Sequence, residues 1–472
     1  MNYSVAILAK SEMIDRIFGA LFGVGVCLVL VIIAWVFWHN ASIRRRLIRF
    51  FGLDYRTRSV VTRPFSILDI PNVRRAVEAF AKQHGAILET LTVKVGDSLQ
   101  SNKLQPASPQ YRQMDIDLDE REDCLTNPLF LVQAAEQRWA ILMTGIQAYG
   151  VSQPSMEVMS ADREQSSDCI QTLRKLMRTH SIYRGKVISI ENSAHAMNDM
   201  AVKGLSQVMF HRLPPVSGDA IILPNETMRR IERNTVGFFR NVERLKQQGH
   251  SAKRGLLFHG APGTGKTRTA CWLTHSLPNV TVFLVTGEQL WNIKECCELA
   301  RELAPAMLIL EDVDLIATRR DQSFQTTALH QLMNEMDGLD SDAEVLFLLT
   351  TNQPEQIEPA LANRPGRIDQ AIHFPMPDEN CRRRLIELYR SRSTLALTDW
   401  SSLLEKTGGS SPAFIKELVR KAALIAVEES SSNNGSVTLV DRHFDEAFHE
   451  MTSGDGKLTR RLTGFSPINE PS

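Results

Sequence analysis

The sequence predicts an α/β fold: a parallel sheet with a C-terminal helical lid, preceded by a small α/β N-terminal domain and a single transmembrane helix. Three observations carry that expectation. Ile17 to Trp38 holds no charged residue; short apolar strands alternate with helical patterns between about 255 and 350; and a glycine-rich loop joins the first of these strands to its helix. A chain of 472 residues has room for about three units. Lys plus Arg (54) equals Asp plus Glu (54), and 43% hydrophobic with 23% charged residues is ordinary for a globular protein. These values argue against a disordered chain and a multi-span transporter, and they give no global pull toward nucleic acid. Seven scattered cysteines without a C-x-x-C pair argue against a disulfide framework or zinc site.

Residues 1–16 read as a short tail. The 17–38 stretch, at ~1.5 Å rise per residue, reaches ~33 Å, enough for a hydrocarbon core of ~30 Å. Trp35 and Trp38 sit where an aromatic belt belongs. Before the span Lys10 and Arg16 are offset by Glu12 and Asp15; after it Arg44, Arg45, Arg46, Arg49, Arg56, Arg58 and Arg63 face only Asp54. The positive-inside rule puts the C-terminal bulk in the cytoplasm at a bacterial inner membrane, with a mitochondrial inner membrane facing the matrix as the alternative. Residues 39–64 form a basic juxtamembrane segment. Its interleaved Leu47, Ile48, Phe50, Phe51, Leu53 and Tyr55 suit either an amphipathic helix on anionic membrane lipid or a solvated flank. Gly19 and Gly23 form a G-x-x-x-G pair that packs membrane helices in some proteins.

Residues 65–215 read as an α/β N-terminal domain for a substrate or adaptor. Candidate strands are Ala86 to Val95, Arg138 to Met143, Ser155 to Met159, Gly185 to Ile190 and Gln207 to His211, with a helix from Asp162 to Thr179. The acidic run from Asp115 to Asp123 fails as a calcium loop, because Glu120 holds the sharp-turn position and Thr126 the bidentate one. A solvated charged segment is the simpler reading. Leu213-Pro-Pro215 closes the region, a large subdomain covers 216–378, a helical lid 379–452, and a tail 453–472.

Gly255 to His259 is an apolar strand that runs into Gly260-Ala261-Pro262-Gly263-Thr264-Gly265-Lys266-Thr267, then Arg268 and a helix. This is the phosphate loop G-x-x-x-x-G-K-[ST] in its strand-loop-helix setting, the mark of a P-loop NTPase sheet. Glycines let backbone amides turn onto phosphate oxygens, Lys266 meets the β and γ phosphates of ATP, and Thr267 ligates Mg²⁺. A third strand, Met307 to Leu310, delivers Glu311 and Asp312 to the same edge, and a fourth, Val345 to Thr350, delivers Asn352. Acids at a strand end beside the phosphate loop supply what hydrolysis needs, one to hold the metal and one to orient water.

Phosphate loop, acidic strand end, Asn352 and the stretch Glu358 to Asp369 resemble, in that order, the AAA ATPase module with its second region of homology. The likeness covers about 220 to 450. It implies an ATP hydrolase working as a homo-oligomeric ring, usually a hexamer, on protein substrates. It further implies that Arg364 and Arg367 reach the γ-phosphate of a neighbouring subunit; a local salt bridge is the other reading of each. Leu332 to Leu339 resembles an intersubunit signalling segment, and no arginine stands at the lid position near Ala413. The Glu311-Asp312 order, reversed from the family's usual pair, resembles the mitochondrial inner-membrane chaperone that assembles respiratory complex III. It implies Glu311 as the Mg²⁺ partner and Asp312 as the residue orienting water. Only 17 residues separate Gly287 from Pro305, without an aromatic-glycine dipeptide, so Trp291 is weighed between a substrate-facing and a subunit-interface role. His449-Glu450 is not followed by a second zinc-binding histidine, so no protease domain is expected, unlike membrane-bound AAA metalloproteases. A nucleotide-gated scaffold with little turnover is the alternative function, and nucleic acid is not an expected partner.

Overall fold

The computed structural model describes residues 43–94, 96–100, 104–144, 154–192, 206–286, 289, 292–314, 331–338, 343–355, 367–430 and 437–452. The expected transmembrane helix, Trp291, Arg364 and the C-terminal tail lie outside these. Among the described residues no helix is long and apolar enough to cross a membrane. The chain divides into two compact units, with the main division between Ile182 and Tyr183.

The first unit begins with helix α1 (43–51), then β1 (Val60–Pro64), α2 (Ile70–Gln83), β2 (Ile87–Thr92), β3 (Tyr111–Asp115), β4 (Arg121–Leu125), β5 (Pro128–Gln133), β6 (Arg138–Thr144), β7 (Ser155–Met159) and α3 (Arg163–Thr179). Five strands form an antiparallel sheet in the order β1-β7-β6-β5-β2. Successive side chains of a strand point to opposite faces. Phe130, Val132, Trp139 and Ile141 therefore pack with α2 and α3, while Leu129, Leu131, Ala140 and Leu142 pack with Ile43, Leu47 and Phe51 of α1. Asp162 caps α3, its carboxylate accepting from the Gln165 amide at 2.8 Å. The acidic run forms the tip of the β3–β4 hairpin.

This arrangement corrects the reading of the juxtamembrane segment as a lipid-lying helix. The apolar stripe Ile43, Leu47, Phe51 and Tyr55 is buried against the protein's own sheet. Part of the arginine strip is also engaged: Arg46 pairs with Glu89, and Arg58 donates to the carbonyls of Ser160 (3.3 Å) and Phe51 (3.2 Å). Arg44, Arg45 and Arg49 remain exposed.

The second unit contains β8 (Val187–Asn192), β9 (Ser206–Phe210), α4 (Asn225–Asn234), α5 (Val236–Gln247), β10 (Lys253–His259), α6 (Lys266–Ser276), β11 (Thr281–Val285), α7 (Ile293–Glu302), β12 (Ala306–Leu310), α8 (331–337), β13 (Val345–Thr351) and β14 (Gln370–His373). The sheet runs β14-β10-β13-β12-β11-β8-β9, and the pairs from β14 through β8 are parallel. β8 and β9, expected in the N-terminal domain, extend this sheet instead, so the second unit begins at 183 and not near 215. The misplacement has a physical cause, since parallel partners are distant in sequence and a strand's own residues do not name them.

The lid holds α9 (Glu379–Tyr389), β15 (Thr394–Leu395), α10 (Trp400–Lys406), α11 (Pro412–Glu429), β16 (Thr438–Leu439) and α12 (Asp441–Thr452). Leu385, Ile386, Phe414, Leu418 and Phe444 build its core. Asp378 caps α9 and Ser411 caps α11, accepting from the amides of Cys381 (2.7 Å) and Phe414 (3.1 Å).

Candidate functional site

β10 ends at His259 between β13 and β14, at the carboxyl edge of the parallel strands, where open α/β sheets bind ligands. The loop 260–265 leaves that edge and opens α6 at Lys266. Gly263 has φ +78°, and a Cβ there would lie 2.8 Å from the Ala413 Cβ. Only glycine fits, and the Ala413 amide of α11 donates to the Gly263 carbonyl at 3.2 Å. The lid thus rests on the phosphate loop within one chain.

Lys266 is 6% exposed, and its Nζ donates to the carbonyls of Gly260 (2.8 Å) and Ala261 (3.0 Å) and to Oδ1 of Asn352 (2.8 Å). Asn352 in turn donates from Nδ2 to Oδ1 of Asp312 at 3.1 Å, and its amide donates to Oδ1 of Asp314 at 3.1 Å. The Asp312 amide donates to Oγ1 of Thr350 at 3.0 Å. Asp312 has φ +48°, a left-handed conformation that aspartate tolerates better than most residues. Burial lowers the Lys266 ammonium from its ordinary range, opposed by the charges of Asp312 and Asp314. Asp314, which no motif singles out, holds the backbone at Asn352.

The Thr267 hydroxyl lies near enough to the Glu311 carboxyl to favour its charged form. Burial pushes the Glu311 carboxyl above its ordinary range, the nearby Thr267 opposing and the Asp312 charge adding. Two hard oxygen donors, one on the first turn of α6 and one at the end of β12, fit a Mg²⁺ ion. A partly desolvated carboxylate beside them would be stabilised by a divalent charge. When bound, Mg²⁺ supplies positive charge to bridging phosphate oxygens.

Arg367 is 4% exposed, and its Nε donates to both carboxylate oxygens of Asp337, at 3.0 and 3.1 Å, with Nη2 completing the pair. In this chain it makes the local ion pair that was the other reading of its role. Service to a neighbouring subunit's phosphate would first break those bonds. Its carbonyl also fixes β10, for a Cβ on Gly255 would lie 1.9 Å from that oxygen.

A cavity of about 370 Å³ lies between the phosphate loop and the lid. Its lining combines polar Lys266, Asp312 and Asn352 with apolar Ile221, Ile222, Leu223 and Leu385. Tyr389 and Lys416 of the lid and Arg268 of α6 complete the wall. The apolar lining was not legible in the sequence because it carries no motif. Its one signal is the run Ile221-Ile222-Leu223 outside any regular element, where Ile221 and Leu223 join the sheet core and Ile222 the lid core.

Comparison with known proteins agrees with this geometry. Residues 256–376 match the family model "ATPase family associated with various cellular activities (AAA)". The chain is similar to human "ATPase family gene 2 protein homolog A", 29% identical over 290 residues, covering 58% of this chain and 32% of that protein. It is similar to the "Proteasome-activating nucleotidase" of Methanosarcina mazei, 34% identical over 202 residues (39% and 47% of the two chains). The corresponding Pyrococcus horikoshii protein is 31% identical over 246 residues (48% and 59%). The chain therefore spans less than two thirds of the length of these relatives. Residues 256–376, with the phosphate loop and its acidic strand end, form an ATPase domain of the AAA family.

Proposed function

We propose that the chain is a membrane-anchored, Mg²⁺-dependent ATPase that works as a homo-oligomeric ring, of six subunits by analogy with the family, to remodel, extract or translocate protein substrates. The observation that carries the hydrolytic reading is the chain of bonds Lys266–Asn352–Asp312, which holds a cation, an amide and a carboxylate on one side of the cavity. In that geometry Lys266 turns from loop carbonyls to β- and γ-phosphate oxygens. Asp312 then orients the attacking water and accepts its hydrogen bond, while Asn352 fixes the carboxylate. Phosphoryl transfer needs little more from a protein than such positioning and charge. The matched relatives support the protein-substrate part through their names, two of which name the proteasome. The 17–38 segment and the exposed Arg44, Arg45 and Arg49 support anchoring, with those arginines the candidate contacts to anionic lipid and the inner side of a bacterial membrane the leading location. Arg364 remains the candidate for charge supplied to a neighbour's phosphate. Likeness to the complex III assembly chaperone rests on the Glu311-Asp312 order alone.

ATP turnover by the wild type, Lys266→Ala and Asp312→Asn tests the proposal: the wild type turns over, and both variants fall by at least about a hundredfold. A wild type no faster than Lys266→Ala defeats the motor reading and favours the second one, a nucleotide-gated scaffold. That reading draws on the Asp312 carboxylate already accepting a hydrogen bond from Asn352.

A further inference from the structure

The two most exposed large apolar side chains among the described residues are Leu53, 87% exposed, and Ile87, 75% exposed, and both belong to the first unit. They lie on the same side of it. Leu91, Leu129, Leu131, Ala140 and Leu142 pack with α1, so Ile87, in step with Leu91 along β2, stands on the α1 side of the sheet. Leu53 follows α1 directly, after Gly52. At about 100° per residue the buried Ile43, Leu47 and Phe51 turn toward the sheet while Arg45 and Arg49 turn away from it, with Arg44 at their flank. These three arginines have no ion-pair partner among the described residues, whereas Glu89 and Asp54 are already paired with Arg46 and Arg58. Basic side chains beside exposed apolar ones are the composition of a surface that lies in a membrane interface. The other side of the sheet is covered by α2 and α3.

We infer that the α1 side of the first unit docks on the anionic headgroups of the leaflet that holds the anchor, with Leu53 and Ile87 entering the interface and Arg44, Arg45 and Arg49 meeting lipid phosphates. The inference rests on the membrane-anchored reading above and deepens it, because it fixes which face of the unit meets the bilayer. Chain length favours this occupant. Residues 39–42 are all that separate the 17–38 segment from α1, and from Trp38 to Ile43 an extended chain spans about 18 Å, so α1 starts within a short tether of the headgroups. Charge favours it as well, since arginines without carboxylate partners are drawn to an anionic leaflet. Lipid thereby meets the outer side of α1, not the apolar stripe of Ile43, Leu47 and Phe51 that the sheet covers. The side built from α2 and α3 is left facing water.

Hydroxyl-radical footprinting of the full-length chain, read by mass spectrometry, tests this in nanodiscs of phosphatidylcholine with about 30% phosphatidylglycerol, in nanodiscs of phosphatidylcholine alone and in detergent. Oxidation of Leu53 and Ile87 is expected to fall about fivefold in the anionic nanodiscs relative to the neutral ones. Tyr111 is the internal control: it is 62% exposed in the hairpin whose Met114 and Cys124 pack on the α2 and α3 side, and its oxidation stays unchanged. Arg44→Glu, Arg45→Glu and Arg49→Glu together alter only exposed side chains and abolish the protection. The corresponding glutamine variant loses about half of it and serves should the glutamate variant not fold. No protection in any medium overturns the proposal. Protection that is equal in anionic and neutral nanodiscs, or present in detergent too, also overturns it, the second result pointing to a copy of the chain as the cover. Alkaline carbonate extraction separates these failures from failure of the underlying reading: a chain stripped from vesicles overturns the anchor, whereas one that stays and shows no anionic protection overturns the docking face alone.

Discussion

Oδ1 of Asn352 accepts from Lys266 Nζ at 2.8 Å while its Nδ2 donates to Asp312. One amide thereby holds the cation and the acid of the site at a fixed separation. An amide does this without adding charge, whereas a carboxylate at the same place would repel Asp312 and an alanine would release both partners. Asn352→Ala is expected to leave ADP affinity within about threefold and to lower kcat by about a hundredfold, the usual scale for a removed transition-state donor. Equilibrium binding and steady-state turnover check it; a parallel loss of ADP binding would reassign Asn352 to ground-state binding.

Arg367 and Asp337 provide the second case. A buried guanidinium that loses its carboxylate is expensive, but Asp337 is half exposed, so solvent screening reduces the value of the pair. Arg367→Ala is expected to cost about 1–3 kcal/mol and to lower Tm by several degrees. Adding Lys266→Ala subunits to mixed rings should then give no rescue of activity. Unchanged Tm together with rescue in mixed rings would restore Arg367 as a residue acting between subunits.

These two sites show why some of the molecule was legible and some was not. The phosphate loop, Glu311, Asp312 and Asn352 can be read because a tight anion cradle demands glycine at fixed spacing, and acids must end a buried strand to reach it. The pairing of Arg367 was not legible because its partner Asp337 lies 30 residues earlier on another element, and sequence cannot show that contact. α1 is similar: spacing of four between Ile43, Leu47 and Phe51 announces a covered face, yet lipid and the sheet of β5 and β6 would cover it equally well. β5 escaped because Leu129 to Val132 is buried on both faces, so polar residues do not alternate to mark it. Ile221 to Leu223 escaped for want of any pattern at all.

His259 ends β10 directly opposite His373 of β14, with ring centroids 5.1 Å apart. Burial, then the charges of His373 and Lys266, lower the His259 imidazole from its ordinary value. In the unfolded chain it takes a proton near pH ~6.5, while in the fold it resists until lower pH. The unfolded state therefore binds more protons in that window, and stability is lost as pH falls through the folded value. His259→Phe removes this titration without opening a cavity. Thermal unfolding should show the Tm difference, variant minus wild type, growing between about pH 7.5 and about pH 5.5; a constant difference would exclude His259 as the source.

The last prediction concerns the edge where β8 joins the sheet. Asn292, at the start of α7 and 7% exposed, donates from Nδ2 to the Ile190 carbonyl of β8 at 3.1 Å. Gln289 adds a bond from Nε2 to Glu191 at 3.2 Å, and its Oε1 accepts from the Thr286 amide at 3.1 Å. Backbone carbonyls at the end of an added strand otherwise face an apolar helix, so removing the donor leaves an acceptor buried and unmet. Asn292→Leu is expected to cost about 1–3 kcal/mol for that reason. The loss should be local, because the phosphate loop is anchored by β10, β13 and α6 on the opposite side of β12. Hydrogen exchange should accelerate at 187–191 and 292–296, while ATP affinity stays within about threefold. Faster exchange at 260–268 in the same variant would show that this edge strand also supports the nucleotide site.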